Sequence, residues 1–290
     1  MNSSSAITFL FPSNLLLSCS IFIAGLIAGS FLNVVVYRLP IMLKRQAMPD
    51  GTSFNLCFPP SHCPRCRQSI RFWQNIPLLS WLLLHGKCHR CHVPIPVRYP
   101  LTELSCALLF LGASFFFTTP LALVSSCVLS WFLLALSLID IRTYLLPDML
   151  TLPLLWLGLI INSISSQGVT LNDALYGAVA GYLALWVLFW WFRIFCKKEG
   201  MGYGDFKFLS ALGGWVGWQP LPYLCIMAAV LGVSYSVMRS LLNKTSGKIP
   251  FGPCLALAGG VVYISQGNIQ FWLMIASFTN KLIYCDSSFN

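Results

Sequence analysis

Apolar runs long enough to cross a membrane alternate with short polar breaks along most of this chain. A run of about 20 apolar residues is typical of a membrane-spanning helix, and Pro, Gly and charged residues mark where such helices end. The runs predict about eight transmembrane helices, at about residues 15–37, 101–118, 121–139, 149–164, 174–195, 205–218, 221–241 and from about 251 onward. We therefore predict an all-α, polytopic integral membrane protein, whose spanning pattern weakens after Gly267.

One polar stretch interrupts this pattern for far longer than a turn requires. It covers residues 39–100, contains several prolines and cysteines, and separates the first predicted helix from the other seven. The pattern thus predicts three regions. Residues 1–38 form a first transmembrane helix, residues 39–100 a four-cysteine module, and residues 101–290 a transmembrane core.

The composition excludes a soluble protein and suggests an orientation. The chain is 57% hydrophobic and 9% charged, whereas soluble domains carry about 25% charged residues. Nine of the 18 Lys and Arg residues lie between Arg38 and Arg98, where Asp50 is the only acid. Such a stretch can bind nucleic acid, but between membrane spans it is typical of the cytoplasmic side. We expect contact with anionic lipid and no nucleic-acid partner. Later lysines that follow predicted spans fit the same orientation: Lys197, Lys198, Lys244 and Lys248.

Four of the twelve cysteines form a spaced cluster inside the polar module. They are Cys63, Cys66, Cys88 and Cys91, in the pattern C-x2-C-x21-C-x2-C. Two CxxC pairs at this spacing can close a tetrahedral site, and four thiolates are the usual ligands of structural zinc. Such a metal would fold a segment with few apolar residues. The alternative is redox chemistry at the CxxC pairs, which a reducing cytoplasm disfavours.

Three of the eight acids lie beside predicted spans on the same side of the membrane: Asp140, Asp148 and Asp205. Carboxylates at membrane depth are costly and usually functional. Two carboxylates held close share one proton, which is the requirement of aspartyl proteolysis. We therefore consider Asp140 and Asp205 a candidate catalytic pair, with Asp148 as a second candidate.

Structural roles are the alternative for each acid. Asp148 follows a proline at a helix start and could cap that helix, and Asp205 could do the same. Asp140 could pair with Arg142 two residues later. Gly202 and Gly204 precede Asp205, and we expect them to permit a close backbone approach and positive φ.

Several motifs in a fixed order add to these observations. They are Gly202-Tyr203-Gly204-Asp205-Phe206-Lys207, the run from Gly29 to Pro40, the paired CxxC cluster, Ile76–Trp81, Arg98–Glu103, Leu145-Leu146-Pro147-Asp148, Leu152-Pro153, Ala211-Leu212-Gly213 and Ile249–Pro253. In this order the set resembles the bacterial type IV prepilin peptidases, from about residue 20 to residue 260. The GxGD element alone also resembles the wider group of membrane aspartyl proteases.

The resemblance implies an activity, cofactors and substrates. It implies an aspartyl endopeptidase of the bacterial inner membrane with Asp140 and Asp205 as its catalytic pair, and it matches Asp148 to an LPD motif. The implied substrates are prepilins and pseudopilins, cut after a glycine at the cytoplasmic face. Many such proteins then methylate the new amino terminus with S-adenosylmethionine. It also assigns the four cysteines to the family and makes the module the candidate methyltransferase region.

Two other functions fit parts of the sequence. A membrane thiol-disulfide oxidoreductase would use the CxxC pairs. A zinc-stabilised assembly or transport subunit would use the aspartates to handle ions. No glycine-rich strand-to-helix turn typical of nucleotide-type cofactors occurs in the chain, so the methyl-transfer expectation depends on the resemblance alone.

Overall fold

A computed structural model describes residues 15–46, 54–63, 65–70, 76–165, 168–196, 202–242 and 249–266 of the 290-residue chain. These residues form helices joined by loops, and their only extended pairing is two isolated bridges in the polar module. The helices are α1 (Leu15–Gln46), α2 (Leu79–Leu83), α3 (Arg98–Phe116), α4 (Pro120–Thr143), α5 (Asp148–Ile164), α6 (Leu171–Cys196), α7 (Tyr203–Val216), α8 (Leu221–Leu241) and α9 (Gly252–Gln266).

The prediction of an all-α membrane protein is confirmed, and a helix lies at each of the eight predicted spans. Five helices, α1, α3, α4, α6 and α8, are long and apolar enough to cross a membrane. Helices α5 and α9 are apolar but shorter. Some sequence features used above lie outside the described residues: Asp50, the four later lysines and the tail from Gly267.

The first helix is longer than predicted, because it passes through Pro40 and ends at Gln46. A proline inside a helix removes one backbone hydrogen bond and costs about 3 kcal/mol. Here the flanking side chains are well packed, since Val36 and Leu39 are both buried. Packing around the proline therefore continues the helix where sequence rules predict its end.

The chain divides into two compact units, and the first is Met1–Thr143. In this unit α1 packs closely on α3. A Cβ atom on Gly25 would lie 2.6 Å from the Cα of Ala107, so only glycine permits this approach. Helix α4 packs on both, and the Trp131 indole donates to the carbonyl of Ala28 at 3.1 Å.

The second unit is Tyr144–Asn290, and its central helix is α7. Helix α7 packs against α5, α6 and α9 and is buried along nearly its whole length. It approaches α6 through two glycines, because a Cβ on Gly213 would lie 2.1 Å from the carbonyl oxygen of Gly177. On the α5 side, the Trp215 indole donates to the carbonyl of Leu154 at 2.8 Å. Helix α7 is therefore a core helix of this unit.

Gly213→Ala is expected to destabilise the protein strongly. The new methyl group cannot fit beside the Gly177 carbonyl, so α6 and α7 must separate, and overpacking of this kind costs about 1–3 kcal/mol or more. The matched control is Gly112→Ala on α3, where an added Cβ meets nothing within 4 Å. That change should be neutral or stabilising, because alanine favours a helix by about 1 kcal/mol over glycine. Thermal unfolding in detergent compares the two, and equal midpoints would contradict the packing described.

Candidate active site and cysteine cluster

Asp140 lies in the last turn of α4, in the first unit. Its side chain is buried, with 5% of the residue exposed, and it follows the buried residues Leu136 and Ile139 along the helix. An acid at this depth is costly unless its environment provides partners or a function.

Asp205 lies in the first turn of α7, in the second unit, and is 9% exposed. An aromatic cluster packs behind it around Phe206, which is completely buried. The ring of Phe206 contacts Phe189 at 5.6 Å, Tyr203 at 5.7 Å and Tyr182 at 6.2 Å between centroids. This cluster holds the start of α7, and with it the backbone of Asp205, against α6.

Of the two roles predicted for the glycines before Asp205, the structure shows one, the close backbone approach, and not the other, positive φ. Gly202 has φ −80° and Gly204 is the second residue of α7, and neither has a positive φ. The close approach is present at Gly204, where a Cβ would lie 2.7 Å from the Cβ of Leu146. A Cβ on Gly202 would lie 3.6 Å from a carboxylate oxygen of Asp205. Gly204 thus lets the start of α7 pack on the segment before α5.

Asp148 is the first residue of α5, and its side chain is 53% exposed. Its two carboxylate oxygens lie 2.8 and 2.6 Å from the Nζ of Lys207, two residues beyond Asp205. The sequence offered a helix cap as the alternative to catalysis for Asp148, and the ion pair with Lys207 is a third role. The pair ties the start of α5 to the start of α7.

The four predicted cysteine ligands come together. Their sulfur atoms all lie within 4.8 Å of one another, and Cys63 is buried while the other three are partly exposed. The Sγ atoms of Cys63 and Cys91 are 3.7 Å apart. Four sulfurs at about 2.3 Å from a tetrahedral zinc would be about 3.8 Å apart, so the cluster fits a metal ion of that size.

The two CxxC pairs lie in two hairpins of the same design. In each, the residue before the first cysteine bridges to the residue six positions after that cysteine: His62 with Ser69, and Lys87 with Pro94. The residue after the second cysteine has a left-handed backbone in both hairpins, with φ 54° at Arg67 and 51° at His92. Sequence spacing indicated paired ligands but did not reveal these matching hairpins.

Each hairpin prepares its first cysteine to be a thiolate. Backbone amides of Cys66 and Arg65 donate to the Cys63 sulfur and lower its pKa to about 6. The equivalent amides of the second hairpin lower the pKa of Cys88. One backbone amide acts to lower the pKa of Cys91 as well, but burial and the neighbouring thiols outweigh it and raise the pKa to about 11. Since thiolates are the metal-binding form of cysteine, the cluster suits a cation.

Sequence reasoning missed the role of Arg38, which it treated only as a topological charge. Its guanidinium is buried and donates to three backbone carbonyls, those of Asn55 at 3.1 Å, Leu56 at 3.2 Å and Pro59 at 2.7 Å. The loop after α1 therefore folds around this side chain.

A buried polar group between α1 and α3 was also missed. Asn33 accepts a hydrogen bond from the Thr102 hydroxyl and donates to the Tyr99 carbonyl at 3.1 Å. The neighbouring Glu103 carboxylate accepts from the backbone amide of Leu78 at 2.9 Å. The Asn33 contacts join α1 to α3, and the Glu103 contact fastens the polar module to the start of α3.

Comparisons with known proteins agree with the resemblance found in the sequence. The family model described as Bacterial Peptidase A24 N-terminal domain matches residues 23–117, and that of the Type IV leader peptidase family matches residues 127–237. No solved structure matches the chain.

Three relatives, each named prepilin leader peptidase/N-methyltransferase, are similar over most of their length. The protein of Stutzerimonas stutzeri is 50% identical over 83% of this chain and 88% of its own length. The protein of Pectobacterium carotovorum is 49% identical over 84% of this chain and 92% of its own length. The protein of Pseudomonas aeruginosa is 47% identical over 90% of this chain and 94% of its own length. With such identity across nearly the full length of both chains, this protein belongs to the type IV leader peptidase family.

Proposed function

We propose that this protein removes the leader peptide from type IV prepilins and pseudopilins and then methylates the new amino terminus. Cleavage would occur after a glycine, at the cytoplasmic face of the bacterial inner membrane. The observation that carries the proposal is the burial of Asp140 and Asp205, at the two positions of the family pattern, in a chain up to 50% identical to proteins named for both activities.

The proposed chemistry needs one charged and one protonated carboxylate. The charged group takes a proton from water while the water oxygen bonds to the peptide carbonyl carbon, and the protonated group donates a hydrogen bond to the carbonyl oxygen. When the intermediate collapses, the C–N bond breaks and the leaving nitrogen takes a proton from the pair. The two aspartates titrate as one unit, so neither role belongs to a fixed residue.

The positions of the two acids suit a substrate at the membrane surface. A prepilin has a leader followed by an apolar helix in the bilayer, so its scissile bond lies near the interface. Asp140 ends a spanning helix and Asp205 begins a buried one. In the orientation indicated by the basic module, both helix ends face the cytoplasm.

The cysteine cluster is proposed to hold a structural zinc ion that folds residues 39–100. Cys63, Cys66, Cys88 and Cys91 would be its four ligands. This module is also the candidate region for methyl transfer. S-adenosylmethionine would supply the methyl group when bound, and the amine of the cleaved substrate would accept it. The three-region division at residues 38 and 100 belongs to this proposal.

A reconstituted assay tests both activities. The purified full-length protein is incubated with a prepilin and methyl-labelled S-adenosylmethionine, and products are analysed by mass. We expect loss of the leader and gain of one methyl group on the new amino terminus. Absence of cleavage would favour the transport or assembly alternative. Thiol oxidation that survives Asp205→Ala but is lost on cysteine substitution would favour the oxidoreductase.

Asp148→Asn distinguishes the two catalytic candidates in the second unit. A partly exposed ion pair contributes about 0–1 kcal/mol, so loss of the pair with Lys207 should reduce kcat/KM for cleavage only a few-fold. Lys207→Gln should give a similar reduction, and the double variant should be no worse than either single one. A loss as large as that of Asp205→Asn would instead make Asp148 a catalytic residue.

A further inference from the structure

The short helix α2 presents three leucines to its surroundings. Leu79, Leu82 and Leu83 are 53%, 61% and 70% exposed. Their i, i+3, i+4 spacing places them on one side of the helix. We call these three residues the α2 face. An exposed apolar face of this kind indicates an interaction site.

The opposite side of α2 is fixed to the polar module. The Trp81 indole donates to the carbonyl of Ile95 at 3.3 Å. Its ring packs on Gly86, where a Cβ would lie 2.9 Å from the ring and where φ is +67°. Trp81 therefore anchors α2 to the second cysteine hairpin and leaves the α2 face on the outside.

A hydrogen bond sets the height of α2 relative to the membrane. The amide of Leu78, the residue just before α2, donates to the carboxylate of Glu103, the sixth residue of α3. Helix α3 is a candidate span of 19 residues. At about 1.5 Å per residue it is about 28 Å long, close to the ~30 Å hydrocarbon core. Nearly all of α3 is needed to cross that core, and Glu103 lies about 7.5 Å along the helix from its start, so it holds Leu78 in the outer part of the apolar layer.

The charge of the module favours an anionic surface beside this layer. No acid occurs between Asp50 and Glu103. The described residues of the same stretch include five basic side chains: Arg65, Arg67, Lys87, Arg90 and Arg98. Basic side chains next to a membrane are attracted to anionic headgroups.

We propose that the α2 face is an interfacial membrane anchor, inserted at the boundary between headgroups and acyl chains of an anionic leaflet. The leucines enter the apolar edge, and the basic residues of the module contact lipid phosphates. An amphipathic surface with this combination of apolar and basic residues is typical of elements that lie in the membrane interface. The anchor fixes the cysteine module against the bilayer instead of leaving it free in solvent.

Depth-dependent fluorescence quenching tests the anchor without using enzyme activity. The full-length protein carries a fluorescent amino acid in place of Leu83 and is placed in nanodiscs of phosphatidylcholine and phosphatidylglycerol. Brominated lipids and aqueous iodide are the two quenchers. The same label at Ser69, an exposed polar residue of the first hairpin, is the aqueous reference, and at Leu109, on α3, the lipid reference.

The label at position 83 should be quenched by brominated lipid more strongly than the label at position 69, and should be shielded from iodide. Brominated phosphatidylglycerol should quench it more than brominated phosphatidylcholine at the same mole fraction. Strong iodide quenching without lipid quenching would overturn the anchor, and equal quenching by the two lipids would overturn its anionic preference. If shielding from iodide appears only when prepilin is added, the α2 face belongs to the substrate and the proposal is wrong.

A matched pair of variants separates insertion from general proximity. With the label moved to Leu79, Leu82→Asp with Leu83→Asp should abolish quenching by brominated lipid. Leu82→Ile with Leu83→Ile should preserve it, because the face stays apolar. Unchanged quenching in the aspartate variant would show that the leucines do not insert.

Discussion

Asp140→Asn and Asp205→Asn should each abolish leader cleavage. Asparagine keeps the size of the side chain but can neither take a proton from water nor share one with a partner carboxylate. General acid–base catalysis contributes about 10²–10⁴-fold, so we expect kcat to fall by at least that factor. The double variant should be no slower than either single one, because groups that act as a unit lose their effect together.

A matched acid outside the proposed pair provides the control. Asp173 lies in the first turn of α6 and accepts hydrogen bonds from Thr170 at 2.7 Å and Trp218 at 2.9 Å. Asp173→Asn should cleave at nearly the wild-type rate. Cleavage of a prepilin is followed by gel or mass analysis, with thermal unfolding to verify that each variant folds. Wild-type turnover in either single variant would end the two-carboxylate mechanism.

The second large effect is expected at the cysteine cluster. The purified protein should contain one zinc ion per chain, and Cys63→Ser with Cys88→Ser should remove it. Structural zinc contributes about 10–16 kcal/mol of binding free energy in small zinc domains, so residues 54–97 should lose their fold with the metal. Elemental analysis measures the zinc, and limited proteolysis measures exposure of this segment.

Cys57→Ser is the control for the metal experiment. Cys57 is an exposed cysteine of the same module that is not a member of the four-sulfur cluster. The Cys57→Ser variant should retain both its zinc and its resistance to the protease. The zinc assignment is wrong if the purified protein contains no zinc, or if the variant with both Cys63→Ser and Cys88→Ser retains it. A disulfide within the cluster of the native protein would favour the oxidoreductase alternative.

The sequence predicts the helices well because lipid imposes a long apolar run on each one. The end of α1 could not be predicted by the same rule, since Pro40 is accommodated by the packing of Val36 and Leu39. Two pairs of glycines four residues apart could have predicted helix contacts from the sequence but were not used: Gly25 with Gly29, and Gly177 with Gly181. Small residues four apart permit close helix packing in membranes, and all four glycines lie at such contacts.

The candidate site shows the same division between local and tertiary information. The four cysteines were predictable because CxxC spacing itself constrains where the sulfurs can lie. The ion-pair partner of Asp148 could not be predicted, because Lys207 is 59 residues away and no local sequence pattern connects the two. The prediction of positive φ at Gly202 and Gly204 was wrong. Glycine is needed at position 204 because Leu146, on another segment, leaves no room for a Cβ atom. The catalytic roles of Asp140 and Asp205 stay predictions.

Helix α7 has 14 residues and is enclosed by protein along nearly its whole length. At about 21 Å it is shorter than the ~30 Å apolar layer. Its length is therefore not set by lipid, and changes in bilayer thickness act on the outer helices, which can tilt. An acid at the start of such an insulated helix keeps its surroundings when lipid composition changes. A peptidase built this way could act in thin and thick membranes while the environment of Asp205, one of its two proposed catalytic acids, stays the same.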